Sequence, residues 1–289
     1  MMLPGLIYLL INNYMPLAGL VIAFKRVNFT TGIFKSPWAG LANFEFLFKT
    51  KDALTITRNT LMYNFAFIIV NTVMGVLIAI LISEIRAKKA KTLYQSSVLL
   101  PFLMSYVIVS YIVFAFLSGD NGMLNNSILP ALGIKEINWY AQAKYWPFII
   151  ILVNFWKSVG YGVLIYIAGI AGIDSSYYEA ASLDGANKLT QVWHITLPAL
   201  IPSIVTLTLL SIGRIFYSDF SLFYQVPMNS GMLYETTQTI DTYVYRGLLT
   251  LGNVSMSSAA GFYQSCVGFV LVMLSNLIVK KVSPENALF

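Results

Sequence analysis

The chain has 289 residues, of which 57% are hydrophobic and only 10% charged, against roughly a quarter charged in an ordinary soluble domain. That composition argues against a water-soluble fold, and the net charge of +6 comes from scattered basic residues rather than from the basic stripe with interleaved aromatics of a nucleic-acid surface. The charge is read instead as membrane topology. The single cysteine, Cys266, sits in an apolar run where it has no partner within the chain and packing is its expected role.

Crossing a hydrocarbon layer of roughly 30 Å at about 1.5 Å per residue takes about 20 apolar residues in a helix. Six stretches qualify in chain order: Leu3 to Phe24, Asn59 to Ser83, Tyr94 to Leu117, Trp146 to Ile170, Leu200 to Leu222 and Gly261 to Val279. Backbone groups cannot go unpaired in lipid, so helices are the solution. The expected fold is therefore all-α and integral to the membrane, with six transmembrane helices in one domain over residues 1–289. The first, second, third and sixth spans carry no charge, whereas the fourth holds Lys157 and the fifth holds Arg214 and Asp219.

Six spans put both termini on one side, and the basic residues of the loops decide which. Arg86, Lys88, Lys89 and Lys91 crowd the loop after the second span, and Lys280 with Lys281 closes the last helix. Against them stand Lys25, Arg26, Lys35, Lys49, Lys51 and Arg58 between the first two spans. The dense clusters decide the reading, which places both termini in the cytoplasm. The chain starts in an apolar run at Met1 and Met2 without the basic flank of a usual first span, as expected if a cytoplasmic tail precedes it. The segments from Lys25 to Arg58, Ser118 to Tyr145 and Phe223 to Ala260 then lie outside. The stretch from Ala171 to Ala199 lies inside.

That inner stretch reads as helix, break, helix. Ala180 and Ala181 favour helix and leave a surface another backbone can approach; Gly185 takes a left-handed turn without steric cost, and Pro198 suits the start of the next span. Physics alone allows an amphipathic hairpin lying on the bilayer surface. The spacing is more specific. Glu179-Ala180-Ala181, three residues, Gly185, nine residues, Ile195, one residue, Leu197-Pro198 resembles the signature of the permease subunits of binding-protein-dependent ABC importers at every defined position. Pro4 to Tyr8, Asn13 to Gly19, Ala23 to Lys25 and Ile240 to Leu248 are similar to the oligosaccharide and polysaccharide branch of that family, most of all to the first permease subunit of bacterial alginate importers.

The resemblance implies a type I ABC importer permease fold in a bacterial inner membrane, with the elbow at about 171–199 as a coupling helix seated in an ATPase subunit. Glu179, Ala180, Ala181, Asp184, Gly185 and Pro198 are the matching coupling positions, and Trp193 stands where the family carries a bulky aromatic. The implied partners are a second, related permease chain, two ATPase subunits, an extracytoplasmic solute-binding protein, the sugar and membrane lipid, with no nucleic acid. ATP and magnesium would be bound by the ATPase subunits and no cofactor by this chain, in which no Gly-x-x-x-x-Gly-Lys-Ser/Thr loop occurs.

A cation near the bilayer centre costs about 2.5 to 3.5 kcal/mol on insertion scales, so it faces a cavity, a counter-ion or the interface. At helical spacing Asn154, Lys157, Ser158 and Tyr161 share a face, and so do Arg214, Tyr217, Ser218 and Ser221. Two such faces predict a water-filled path lined by Asn154, Lys157, Tyr161, Arg214, Tyr217 and Ser218, suited to an acidic oligosaccharide through charge-assisted hydrogen bonds; the resemblance implies that this sugar is alginate-like. Trp156, Tyr161 and Tyr217 could stack on sugar C–H faces. The structural alternative pairs Lys157 or Arg214 with Asp219, or lets a cation snorkel outward. Two other function classes compete: an ion-coupled secondary transporter, for which Asp219 is the only carboxylate in a span, and a membrane-embedded enzyme, for which the sole histidine, His194, falls in the elbow and no catalytic or metal-ligand spacing occurs.

Overall fold

The computed structural model describes residues 2–45 and 49–282. Among the described residues the regular structure is helical, apart from one isolated antiparallel bridge between Lys25 and Trp38. The long elements are α1 (Leu3–Phe24), α2 (Lys51–Ser83), α3 (Lys88–Leu103), α4 (Tyr106–Leu117), α5 (Trp146–Ala171), α6 (Ser175–Leu183), α7 (Lys188–Ile212), α8 (Phe220–Gln225), α9 (Ile240–Leu249) and α10 (Val254–Val282). Helices α1, α2, α5, α7 and α10 are each long and apolar enough to cross a membrane, and α3 with α4 makes a sixth crossing if the bent pair counts as one.

Helix α5 lies at the centre, packed against α2, α3 and α7. One apolar cluster joins Tyr63, Trp146, Ile150 and Phe223, where α2, α5 and α8 meet. A second joins Val76, Val163, Tyr166 and Leu200 on α2, α5 and α7. Lipid is as apolar as leucine, so helices in a membrane associate through close packing at small residues rather than through escape from water. Gly160 of α5 shows this: a Cβ there would lie 2.2 Å from the Val98 carbonyl oxygen of α3. The outward faces are apolar, with Phe65 and Leu81 on α2 and Phe269 on α10 exposed, as a lipid neighbour requires. Cys266 is exposed as well, not packed inside as its apolar setting led us to expect.

Four predicted spans differ from the structure. The second begins at Lys51, ahead of Asn59. The third is not one helix from Tyr94 to Leu117: it breaks at Met104 and Ser105, both in extended backbone, and α3 and α4 meet at a bend of 99°. Pro101 removes an amide from the last turn of α3, and the Ser105 hydroxyl accepts from the Ile108 amide to cap α4. The fifth starts earlier, at Lys188, and ends at Ile212 rather than Leu222. Pro198 stands in the first turn of the α-helical part, Leu197–Ile212, as expected of a helix start, but a widened π-type turn at Val192–Thr196 runs directly into it and carries the span back to Lys188. The sixth begins at Val254, ahead of Gly261.

Candidate functional site

Beyond Ile212 the chain runs as turns to Asp219, which caps α8 by accepting from the Leu222 amide. Irregular backbone at membrane depth survives only where neighbouring groups satisfy it. Here they do. The Asn64 side chain of α2 donates to the carbonyls of Ile215 (2.9 Å) and Tyr217 (3.0 Å), and Gln264 of α10 donates to Phe216 at 2.9 Å. Asp241, in the first turn of α9, accepts from the Ser218 amide and hydroxyl, each at 2.7 Å, and from Gln264 at 3.1 Å. These donors hold the Asp241 carboxylate in place.

The break opens one wall of a cavity of about 710 Å³ between α2, α5 and the end of α7. Asn154, Tyr161, Arg214, Tyr217 and Ser218, five of the residues placed on the path from sequence, line it together with Asn64, Asn71, Ser158, Asp219 and Asp241. Arg214, Tyr217, Ser218 and Ser221 do not share a helical face, because α7 has already ended; the turns bring the first three to the cavity and Ser221 belongs to α8. Lys157 does not line the cavity. It is 8% exposed, donates to the Phe102 carbonyl at 3.1 Å and lies 4.7 Å from the centre of the Tyr106 ring.

Arg214 is the cation of the cavity wall, and among the described residues its side chain forms no ion pair, with Asp219 or any other carboxylate. In the same wall the Asn71 amide donates to the Asn154 side-chain oxygen at 3.0 Å, and the Asn71 oxygen is buried without a partner. The cavity therefore offers an unpaired guanidinium, side-chain amides and tyrosine faces, beside the carboxylates of Asp219 and Asp241. Asn64, Asp241 and Gln264 were missed from sequence; a search for uncharged amides inside apolar runs finds Asn64 and Gln264, but nothing local marks Asp241.

The elbow is a second site. Asp174 caps α6 by accepting from the Ser176 amide, and the Ser176 amide and hydroxyl hold its carboxyl below the usual carboxylate range. Gly185 ends α6 at φ +78°, with the Ala186 amide reaching back to the Ala181 carbonyl at 2.8 Å, the closed turn that only glycine enters cheaply. Asn187 caps the next helix. Two braces join the arms: buried Gln191 donates to the Ser182 hydroxyl at 2.9 Å, and the Tyr178 and Thr196 hydroxyls meet at 2.9 Å. Lys188 ties the elbow to Glu84 at the end of α2 through a 3.0 Å ion pair. Glu179, Ala180, Asp184 and Gly185 are exposed and Ala181 half-buried, beside Leu183, 90% exposed, and Trp193, 62% exposed. His194 is exposed and bonded to the Thr190 carbonyl.

Known proteins agree with this architecture. Residues 75–284 match the model of the binding-protein-dependent transport system inner membrane component family. The polygalacturonan/rhamnogalacturonan transport system permease protein YteP of Bacillus subtilis (strain 168) is 36% identical over 99% of this chain and 88% of its own, and Protein LplB of the same strain is 34% identical over 99% and 89%. Among solved structures, a permease chain of a bacterial ABC transporter involved in the import of the acidic polysaccharide alginate superposes with a TM-score of 0.88 at 31% identity, covering 97% of this chain and 94% of that one. The arrangement of crossings is thus the type I ABC permease fold, and this chain, a sugar transport permease rather than an enzyme, belongs to the family of inner-membrane components of binding-protein-dependent transport systems.

Proposed function

We propose that this chain forms half of the membrane path of an ATP-driven importer for an acidic oligosaccharide. The observation that carries the substrate class is Arg214, a cation without an ion-pair partner among the described residues, in a cavity whose two carboxylates are already engaged, Asp241 by Ser218 and Gln264 and Asp219 by the Leu222 amide, and whose other lining is amides, hydroxyls, aromatic rings and aliphatic side chains. A guanidinium offers a carboxylate two charge-assisted hydrogen bonds, and Tyr161 and Tyr217 offer faces to sugar rings. The names of the relatives support the same class, one specifying galacturonans and one the acidic polysaccharide alginate.

On this reading a second permease chain completes the path and a solute-binding protein delivers the sugar from outside. An alginate transporter has been crystallised with a pentasaccharide-bound periplasmic protein, which is the arrangement we carry over. Both termini and the elbow face the cytoplasm. Glu179, Ala180, Ala181, Asp184 and Gly185 meet an ATPase subunit, with Pro198 at the base of the second arm, and the exposed Leu183 and Trp193 supply the apolar area such a contact needs. ATP and magnesium belong to the two ATPase subunits. Their closure carries the elbows, and the rigid hairpin passes the movement to α5 and α7, which wall the cavity.

The test is uptake into proteoliposomes holding the complete complex, with labelled oligogalacturonate and a neutral oligosaccharide of equal length. Preference for the acidic sugar is expected. Equal or greater uptake of the neutral one overturns the substrate class.

A further inference from the structure

The third span breaks beside Lys157, and the contacts of that side chain divide between the two sides of the break. Before it, the ammonium group donates to the Phe102 carbonyl at 3.1 Å and lies 5.6 Å from the centre of the Phe102 ring. After it, the same group lies 4.7 Å from the centre of the Tyr106 ring. The last carbonyls of a helix have no partner within it, and they form the negative end of the helix dipole. In hydrocarbon such a carbonyl has no water to turn to. A buried lysine at this point satisfies it and grips the next arm by its aromatic face. One turn along α5, Gly160 lets the helix press against α3 at Val98. The register of α5 on α3 is therefore fixed while α4 departs at 99°.

The cavity also touches both arms. Tyr161 of its wall stacks on Phe102, with ring centres 5.6 Å apart and planes at 23°. Ser158 and Asp219, also in the wall, lie beside Tyr106. A molecule that displaces Tyr161 acts on the arm before the break, and one that displaces Asp219 acts on the arm after it.

We infer that Lys157 is the positioning residue of a hinge in the third span, and that the contents of the cavity set the angle of this hinge through Phe102 and Tyr106. The lysine holds the bent form. Its loss lets the span straighten and separates cavity occupancy from the transport cycle. Only this second effect rests on the function proposed above; the first concerns the fold alone.

The test uses the complete complex in lipid nanodiscs, with Cys266→Ser and spin labels at Leu93 and Tyr111, which are exposed and stand one on each arm. From the 1.5 Å rise per residue, full straightening lengthens their separation by roughly 8 Å. Lys157→Met is expected to move the distance distribution in that direction, Lys157→Arg to restore it, and Tyr106→Leu, which keeps the hydrogen bond and removes the ring, to give a smaller shift of the same sign. In the same samples the ratio of ATP hydrolysis with oligogalacturonate and binding protein to hydrolysis without them should fall toward one in Lys157→Met. A distance distribution unchanged in both Lys157→Met and Tyr106→Leu overturns the hinge. A lengthened distance with an unaltered hydrolysis ratio overturns its link to the cavity.

Discussion

The Asn64 side-chain nitrogen lies 3.0 Å from the Tyr217 carbonyl and 2.9 Å from that of Ile215, so one amide on α2 holds the turns that follow α7. The position of Arg214 depends on those turns, which makes Asn64 a support of the cavity as well as part of its wall.

Asn64→Leu leaves both carbonyls without this donor, that of Ile215 in a part-buried setting and that of Tyr217 at the cavity wall. A carbonyl left unpaired and buried costs about 1 to 3 kcal/mol, and one that cavity water reaches costs less. A clear drop in the melting temperature of the purified protein is expected, together with loss of transport. Unchanged melting would show that the turns are held by Gln264 and Asp241 alone.

The same break explains what the sequence concealed. Hydropathy marks where apolar residues cluster, and every predicted span overlaps a helix or a bent pair, though not with the same ends. It does not sense a single missing donor or a capping side chain. Pro101 and Ser105 end α3 and start α4 within an unbroken apolar run, and Asp219, taken as a charge inside a span, is the cap of α8. Charges were over-read for a related reason. Lys157 looked like a path residue because its position in the span is central, yet its partner is a carbonyl exposed by a break that was not foreseen. The basic residues between the first two predicted spans gave a mixed topology signal, and several of them are engaged in local structure. Lys25 is buried and donates to the Phe34 carbonyl, Lys49 pairs with Glu45, and Arg58 bonds to Asn59. The elbow was the most legible part, since its glycine, caps and alanines act within a few residues of one another.

Glu179→Lys reverses the charge of an exposed residue that makes no ion pair among the described residues. Membrane insertion and melting should stay as in the parent, while recovery of the ATPase subunits with the affinity-purified permease falls. Full recovery with normal transport would remove Glu179 from the coupling surface. Gly185→Asp acts differently. Space is free there, but φ of +78° strains any side chain at about 1 to 2 kcal/mol, so the elbow itself should loosen.

Asp174 gives the elbow a pH response. Its carboxyl is held below the ordinary value of 3.8 by Ser176, so the charged cap is complete above that value and is lost as pH falls through the lowered folded one. Stability of the elbow should be flat through the neutral range and decline only in acid. Asp174→Ala should loosen α6 at neutral pH and Asp174→Asn much less, read by amide hydrogen exchange over residues 175–183. Equal exchange in parent and Asp174→Ala would show that the cap is idle.

Sidedness follows from the proposed topology. In a Cys266→Ser background, cysteine at exposed Lys89 should react only with reagents that reach the cytoplasm, and cysteine at Met232, 68% exposed, only from outside. Labelling of both from one side would reject the topology.

Arg214→Gln is the most direct measurement on the substrate path, because it removes the cation from the cavity wall and keeps a hydrogen-bonding side chain. The quantity to read is the ratio of uptake of oligogalacturonate to uptake of a neutral oligosaccharide of equal length, in proteoliposomes of the complete complex. A hydrogen bond to a charged group contributes about 1.5 to 3 kcal/mol, so that ratio should fall roughly tenfold or more, with melting and assembly unchanged. A ratio equal to that of the parent, in a complex that is assembled and active, would contradict the assignment of Arg214 and with it the acidic path.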